Sequence, residues 1–180
     1  MKRYAKFLMI FVFSVVTLTA CSGDSESSGK VLKVAKDVEL ASMDQHIATD
    51  GLSFEVIAAT IEGLYTLDAD GNAIPAIAES YDLSEDGLTY TFHLREDAKW
   101  SNGDPVTAND FVYAWRRLVN PNTASEYAFI MDVAGVKNAD AITAGEASLE
   151  ELGVKAVDDY TLEVSLDLTV QYFLPLMNFH

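Results

Sequence analysis

A single cysteine in 180 residues leaves no partner for an internal disulfide and too few thiolates for a cysteine-based metal site. The three histidines, His46, His93 and His180, show no ligand spacing, so His46 is read as a polar loop residue rather than a metal ligand. Neither a glycine-rich phosphate loop nor a nucleophile with a base and an orienting group is present, which argues against an enzyme and against a cofactor. No repeat is visible. Basic residues are scarce: 12 Lys and Arg stand against 28 Asp and Glu. Three of those basic residues precede Cys21 and no acidic one does, so the remainder carries 9 − 28 = −19. Such a charge repels nucleic acid and anionic lipid headgroups alike. It leaves room for a cationic ligand, although acidic surfaces most often serve solubility.

The amino-terminal 21 residues read as targeting rather than fold. Lys2, Arg3 and Lys6 form a positive segment. Residues 7–16 form an apolar one, too short to cross a hydrocarbon core of about 30 Å as a helix. Leu18-Thr19-Ala20-Cys21 then resembles a bacterial lipobox, which implies lipidation of Cys21; the alternative is an ordinary secretory signal with an incidental cysteine. Residues 22–30 (SGDSESSGK) are small and polar, a flexible tether unable to bury a core.

The most informative stretch is residues 87–118. Leu88, Tyr90, Phe92 and Leu94 alternate with Thr89, Thr91, His93 and Arg95, the period of a half-buried strand. Asn102-Gly103 and Asp104-Pro105 supply turn chemistry. A helix then follows, with Thr107 as cap, Asp110 at its third position as in a capping box, and Val106 against Phe111 as a staple. Phe111, Ala114, Trp115 and Leu118 make one apolar face, and Asn120-Pro121-Asn122 stops the helix.

Around this stretch the pattern is mixed. Residues 31–35 (VLKVA) predict a short strand, and residues 53–62 a helix with Phe54, Ile57, Ala58 and Ile61 on one face. Residues 62–67 predict a strand entering the acidic turn 68–72. Asp68, Asp70 and Asn72 have calcium-loop spacing, but Ala73 stands where such a loop requires glycine and Pro75 follows. The turn is instead assigned to a positive φ at Gly71. Glu85-Asp86-Gly87 predicts a hairpin turn, residues 136–151 partial helix weakened by Gly145, and residues 152–166 a hairpin turning at Asp158-Asp159. Residues 171–179 are apolar and aromatic.

TFHLREDAKWSNGDPVTANDFVYAW, together with Asn120-Pro121-Asn122-Thr123-Ala124, resembles the signature region of the bacterial extracellular solute-binding proteins of the oligopeptide-binding family, the receptors of ABC-type importers. The resemblance runs from about residue 42 to residue 173. It implies a mixed α/β fold, the amino-terminal part of a two-lobed, type II periplasmic-binding-protein architecture that closes on its ligand through a hinge. The division it implies is a lipoprotein signal (1–21), a tether (22–30), the start of lobe I (31–61), a small mixed α/β subdomain (62–170) and the start of a truncated continuation (171–180). It implies capture of oligopeptides outside the membrane and delivery to permease subunits, with lipid attachment to the outer face of the cell membrane. By position, Thr49, Asp50 and Gly51 would pair through their backbone with an extended peptide. The alternative is a plain helix-entry loop. Tyr127 would line a pocket for a peptide side chain, or else is a packed surface aromatic. The acidic residue that holds a peptide's amino terminus in the family falls outside these residues. Other solutes (a nickel complex, haem, a sugar) and a lipid-anchored surface enzyme or adhesin stand as alternatives.

Overall fold

The computed structural model describes residues 32–178. Cys21, the signal segment and the tether therefore lie outside the described residues, as does His180. The chain divides after Asp37. Residues 32–37 are irregular and exposed, so the strand expected at residues 31–35 is not formed. A strand exists only by pairing its N–H and C=O groups, and among the described residues none pairs with this one. Leu32 and Val34 are consequently in solvent.

Beyond Asp37, helix α1 (Gly51–Ala58) starts earlier than residue 53 because Asp50 caps it, its carboxylate accepting the Ser53 N–H at 2.9 Å. It also ends earlier than residue 62: the Thr60 hydroxyl donates back to the Val56 carbonyl at 3.0 Å, a bond that competes with the helix ladder. Ser53, not Ala58, shares the buried face with Ile57.

Two antiparallel sheets follow. Strands β1 (Tyr65–Leu67) and β2 (Ala73–Pro75) form a hairpin around the acidic turn, where Gly71 has φ +83° as its sequence position requires. The Asp68 carboxylate accepts the backbone N–H groups of Asp70 and Asn72, so the turn closes on its own main chain. Strands β3 (Ala78–Leu83), β4 (Thr89–Leu94), β5 (Val154–Asp158) and β6 (Thr161–Ser165) form the larger sheet, in the order β3-β4-β6-β5, with every neighbour antiparallel. The alternation read from the sequence is observed: Tyr90, Phe92 and Leu94 are buried, as are Leu162, Val164 and Leu166. The last hairpin turns at Asp159-Tyr160, one residue later than expected. Asp158 still pairs with Thr161 across a bulge, and its carboxylate accepts the Tyr160 N–H at 2.9 Å.

Helix α2 (Ala108–Val119) packs chiefly on β5 and buries Ala108, Trp115, Leu118 and Val119. Its start is fixed twice. The Asp110 carboxylate accepts the Thr107 N–H at 2.7 Å and the Thr107 hydroxyl at 3.0 Å, and the Ala108 N–H donates to the Asp159 carbonyl at 2.8 Å. Those bonds satisfy donors that a helix start leaves without intrahelical partners. Short helices α3 (Phe129–Val133) and α4 (Ala139–Thr143) cover the same side.

Helix α5 (Phe173–Leu176) inserts Phe173 into the core, its ring 4.5 Å from that of Tyr90 and 6.3 Å from that of Phe92. Full burial of Phe92 and Phe173 makes this aromatic cluster a large apolar contribution, about 1.5–3 kcal/mol for each ring. Gly63 lets the chain pass close to the Met177 carbonyl, where a Cβ would collide with backbone.

Candidate functional site

Residues 42–53 are held by a continuous set of polar contacts. The Asp44 carboxylate receives both arms of the Arg117 guanidinium, Nη1 to Oδ1 at 2.7 Å and Nη2 to Oδ2 at 2.6 Å. This two-point pairing, between groups 73 positions apart in sequence, ties the loop to the last turn of α2. The guanidinium beside Asp44 holds its carboxyl well below the usual range, at about 2. The backbone carbonyl of the same residue accepts the N–H groups of Ile47 and Ala48, and Oδ1 accepts the His46 N–H at 3.0 Å. Asp44 thus organises the turn before α1 by itself.

From Asp44 the contacts continue to α1. The Asp44 N–H donates to the Ser42 hydroxyl at 3.0 Å, and the Ser42 N–H donates to Ser53 Oγ at 3.1 Å. Ser53 Oγ in turn donates to Asp50 Oδ2 at 2.6 Å. Ser53 is wholly buried, so its hydroxyl requires both partners. These bonds to Ser53 hold the Asp50 carboxyl below its ordinary value.

His46 is a polar loop residue, as expected, but a buried one. Burial first, and Arg117 second, push its pKa below the ordinary value, so the ring is neutral. A guanidinium only donates, so His46 Nδ1 accepts from Arg117 Nη1 and Nε2 carries the proton. The Gln45 amide nitrogen lies 3.3 Å from Nε2, and among the described residues its buried oxygen has no partner. Turned toward the ring, that oxygen accepts the Nε2–H.

The residues expected to touch ligand divide by what they offer. Thr49 is exposed, and Gly51 opens α1 with free space where a side chain would stand. Asp50 has its carboxylate engaged by Ser53 and its carbonyl by the Phe54 N–H at 3.2 Å, so the segment offers chiefly the backbone N–H groups that open the helix. Tyr127 is half-buried, its ring edge-on to Phe54 at 5.3 Å and 87°, and 6.1 Å from Phe129. Phe54 belongs to α1, so the structure brings Tyr127 to the helix that the Thr49–Gly51 segment begins. Cys21 lies outside the described residues. Arg117 and Ser53 are the participants that sequence reasoning missed. Arg117 reads as an ordinary basic residue at a helix end, and Ser53 as the first residue of a helix.

Beside the His46 ring lies a cleft of about 230 Å³, walled by Phe111, Trp115, Leu118 and Met131, with Trp100 and Met177 at its sides. Glu62 and Arg95 pair at 2.9 Å on its rim. Among the described residues no group of three or more His, Cys, Asp or Glu could hold a metal ion, and no helix is long and apolar enough to cross a membrane. What this arrangement offers is shape, backbone hydrogen bonds and aromatic surface.

Residues 72–180 match the family model of bacterial extracellular solute-binding proteins, family 5, middle region. The chain is 43% identical over 169 residues to a dipeptide-binding protein of Lactococcus lactis, covering 94% of the chain and 30% of the relative. It is 46% identical over 139 residues to the periplasmic oligopeptide-binding protein OppA of Escherichia coli, covering 77% and 25%. The solved structure of Listeria monocytogenes OppA bound to peptide superposes with a TM-score of 0.76 at 49% identity, over 79% of the chain and 28% of that structure. The chain therefore spans about a third or less of the length of these relatives. Its mixed α/β fold is part of the two-lobed solute-binding architecture of its structural neighbours. By sequence and by fold, the chain belongs to the bacterial extracellular solute-binding proteins, family 5.

Proposed function

We propose that this chain is part of the substrate-binding component of an ABC importer that captures oligopeptides outside the membrane and delivers them to permease subunits. The observation that carries this reading is the likeness to a peptide-bound receptor at 49% identity and a TM-score of 0.76. The exposed backbone at Thr49–Gly51 supports it, since an extended peptide is recognised largely by main-chain pairing. In this reading Thr49, Asp50 and Gly51 present backbone groups to the peptide, chiefly the N–H groups at the start of α1, and Tyr127 offers its ring to a side chain. Closure of a second lobe then excludes water. No bond is made or broken, so the protein acts as a receptor and not as an enzyme. Lipid on Cys21 and the tether of residues 22–30 hold residues 31–61 of lobe I and the subdomain of residues 62–170 at the outer face. Residues 171–180 lead on into the remainder of the lobe.

The test is calorimetric titration of a family-length protein carrying these residues with a mixed peptide library, alongside mass spectrometry of co-purified ligand. Micromolar or tighter peptide binding is expected, and Tyr127→Ala should weaken it by about 1–3 kcal/mol, as loss of a buried interface ring does. Co-purification of a non-peptide solute, with no peptide binding, would transfer the fold to another cargo.

A further inference from the structure

We infer that Arg117 is a positioning residue for peptide capture: through Asp44, Ser42 and Ser53 it sets the backbone of Thr49–Gly51 in place on the subdomain. The inference rests on the reading of that segment as peptide-binding, and it adds a residue that makes no contact with the peptide itself. The geometry is a chain of consecutive hydrogen bonds. Arg117 grips Asp44 at two points, Asp44 donates to Ser42, Ser42 to Ser53, and Ser53 to Asp50, each between 2.6 and 3.1 Å.

Apolar packing alone would not fix this segment. Residues 38–43 carry exposed Val38, Leu40 and Met43, and Ile47 is exposed as well. Of the loop before α1, only His46 and Ala48 are buried. A guanidinium fork fixes both distance and orientation of a carboxylate, which an ammonium cannot do. Both side chains of the pair are about one-third exposed, so its worth lies in register more than in bulk stability.

His46 makes the arrangement sensitive to pH. Asp44 and Arg117 contact the ring or its backbone, while Glu62, Arg95, Lys99 and Asp110 line the neighbouring cleft. A protonated ring would present a cation to Arg117 and lose its acceptor nitrogen. Because the folded pKa lies below the unfolded value of 6.5, the loop is fully held above pH 6.5 and loosens as pH falls below it. Asp44, already ionised down to about 2, does not contribute in that range.

Two variants of the chain, Arg117→Lys and Asp44→Asn, test the idea by amide exchange. Arg117→Lys keeps the charge and removes the fork, while Asp44→Asn keeps an oxygen for the His46 N–H and removes the ion pair. Protection of the Ile47, Ala48 and Phe54 amides should fall about tenfold in both, the scale of one charge-assisted contact, with Phe92 and Val164 unchanged. Unchanged loop protection overturns the inference. If either variant fails to fold, the wild type decides. Its loop protection, corrected for intrinsic exchange, should drop between pH 7 and pH 5 while the sheet stays protected, and a flat profile overturns the inference. In a family-length protein, Arg117→Lys should raise the peptide Kd about tenfold by the same reckoning. Wild-type protein that binds no peptide would refute the functional reading while leaving the loop result standing.

Discussion

The sheet with α2 and the segment of residues 38–61 are held by different physics. In the sheet, burial follows the strand period: two hairpins, each formed by residues close in sequence, meet where β4 pairs with the distant β6 and bury a shared apolar face. Its core closes on rings, Phe92 and Phe173 being fully buried. Residues 38–61 have little such support. Ile57 is their one wholly buried large apolar side chain, and what fixes them is a line of polar contacts ending on a residue 73 positions away. The difference teaches that the rigid part of this molecule and the part proposed to meet ligand are stabilised separately. A binding edge that depends on a few directed bonds can be moved or ordered at small cost, while the scaffold beneath it stays intact.

The largest expected effect comes from breaking the scaffold. Phe92 lies between Tyr65, Tyr90 and Phe173, and Phe92→Ala should cost about 3–5 kcal/mol, the range for deleting a buried ring and leaving its cavity. Urea unfolding followed by both tryptophan fluorescence and far-ultraviolet dichroism would measure it. Residues 38–61 should be lost in the same transition, because their anchor Arg117 goes with α2. Survival of their amide protection after the sheet has melted would reverse the dependence drawn here.

The converse perturbation sharpens the contrast. Ser53→Ala removes the hydroxyl that accepts from Ser42 and donates to Asp50, leaving buried polar groups short of partners at about 1–3 kcal/mol. Exchange should rise in residues 42–54 and not in β4 or β6. A uniform loss across the molecule would mean that the two regions form one cooperative unit.

How much of this was legible follows the same division. The β4 strand, the turn at Gly71, the hairpin turn before β4 and the start of α2 were readable because each signal is local: a period, a positive φ, a cap three residues from its partner. The strand expected at residues 31–35 was misread because alternation states only that a segment suits a sheet. Whether a neighbour exists to pair with it is a non-local fact. Helix α1 starts before the expected residue 53 because Asp50 and Ser53 form a cap of their own. Helix α3 left no clear period in five residues. The Arg117–Asp44 pair was invisible for a simpler reason. Among 12 basic and 28 acidic residues, nothing in one sequence says which cation meets which carboxylate. The candidate surface at Thr49–Gly51 and Tyr127 rested on resemblance, since backbone recognition places no demand on side-chain identity.

The smallest effect concerns the cap that joins the two halves of the scaffold. The sequence points to Thr107 as the acceptor for the first turn of α2, but the geometry gives the larger role to Asp110. One oxygen of its carboxylate receives both the N–H and the hydroxyl of Thr107. Asp110→Ala removes both bonds and should cost about 0.5–2 kcal/mol, the span for lost helix caps. Thr107→Ala keeps the backbone bond and should fall below it. Asp110→Asn retains a carbonyl acceptor and gives up chiefly the attraction of a carboxylate to the helix amino terminus, about 0.3–1 kcal/mol. The charged component of this order should shrink in high salt, because the site is near the surface. The Ala108 N–H donates to the Asp159 carbonyl, so the Asp110→Ala variant should also loosen the β5–β6 turn, visible as faster exchange at Tyr160. Residues 42–53 meet α2 two turns further on, at Arg117, and their exchange should stay unchanged. Equal midpoints for wild type and Asp110→Ala in urea would place the fixing of this helix in its packing face alone, at Trp115 and Leu118, and would leave the cap a geometric accompaniment.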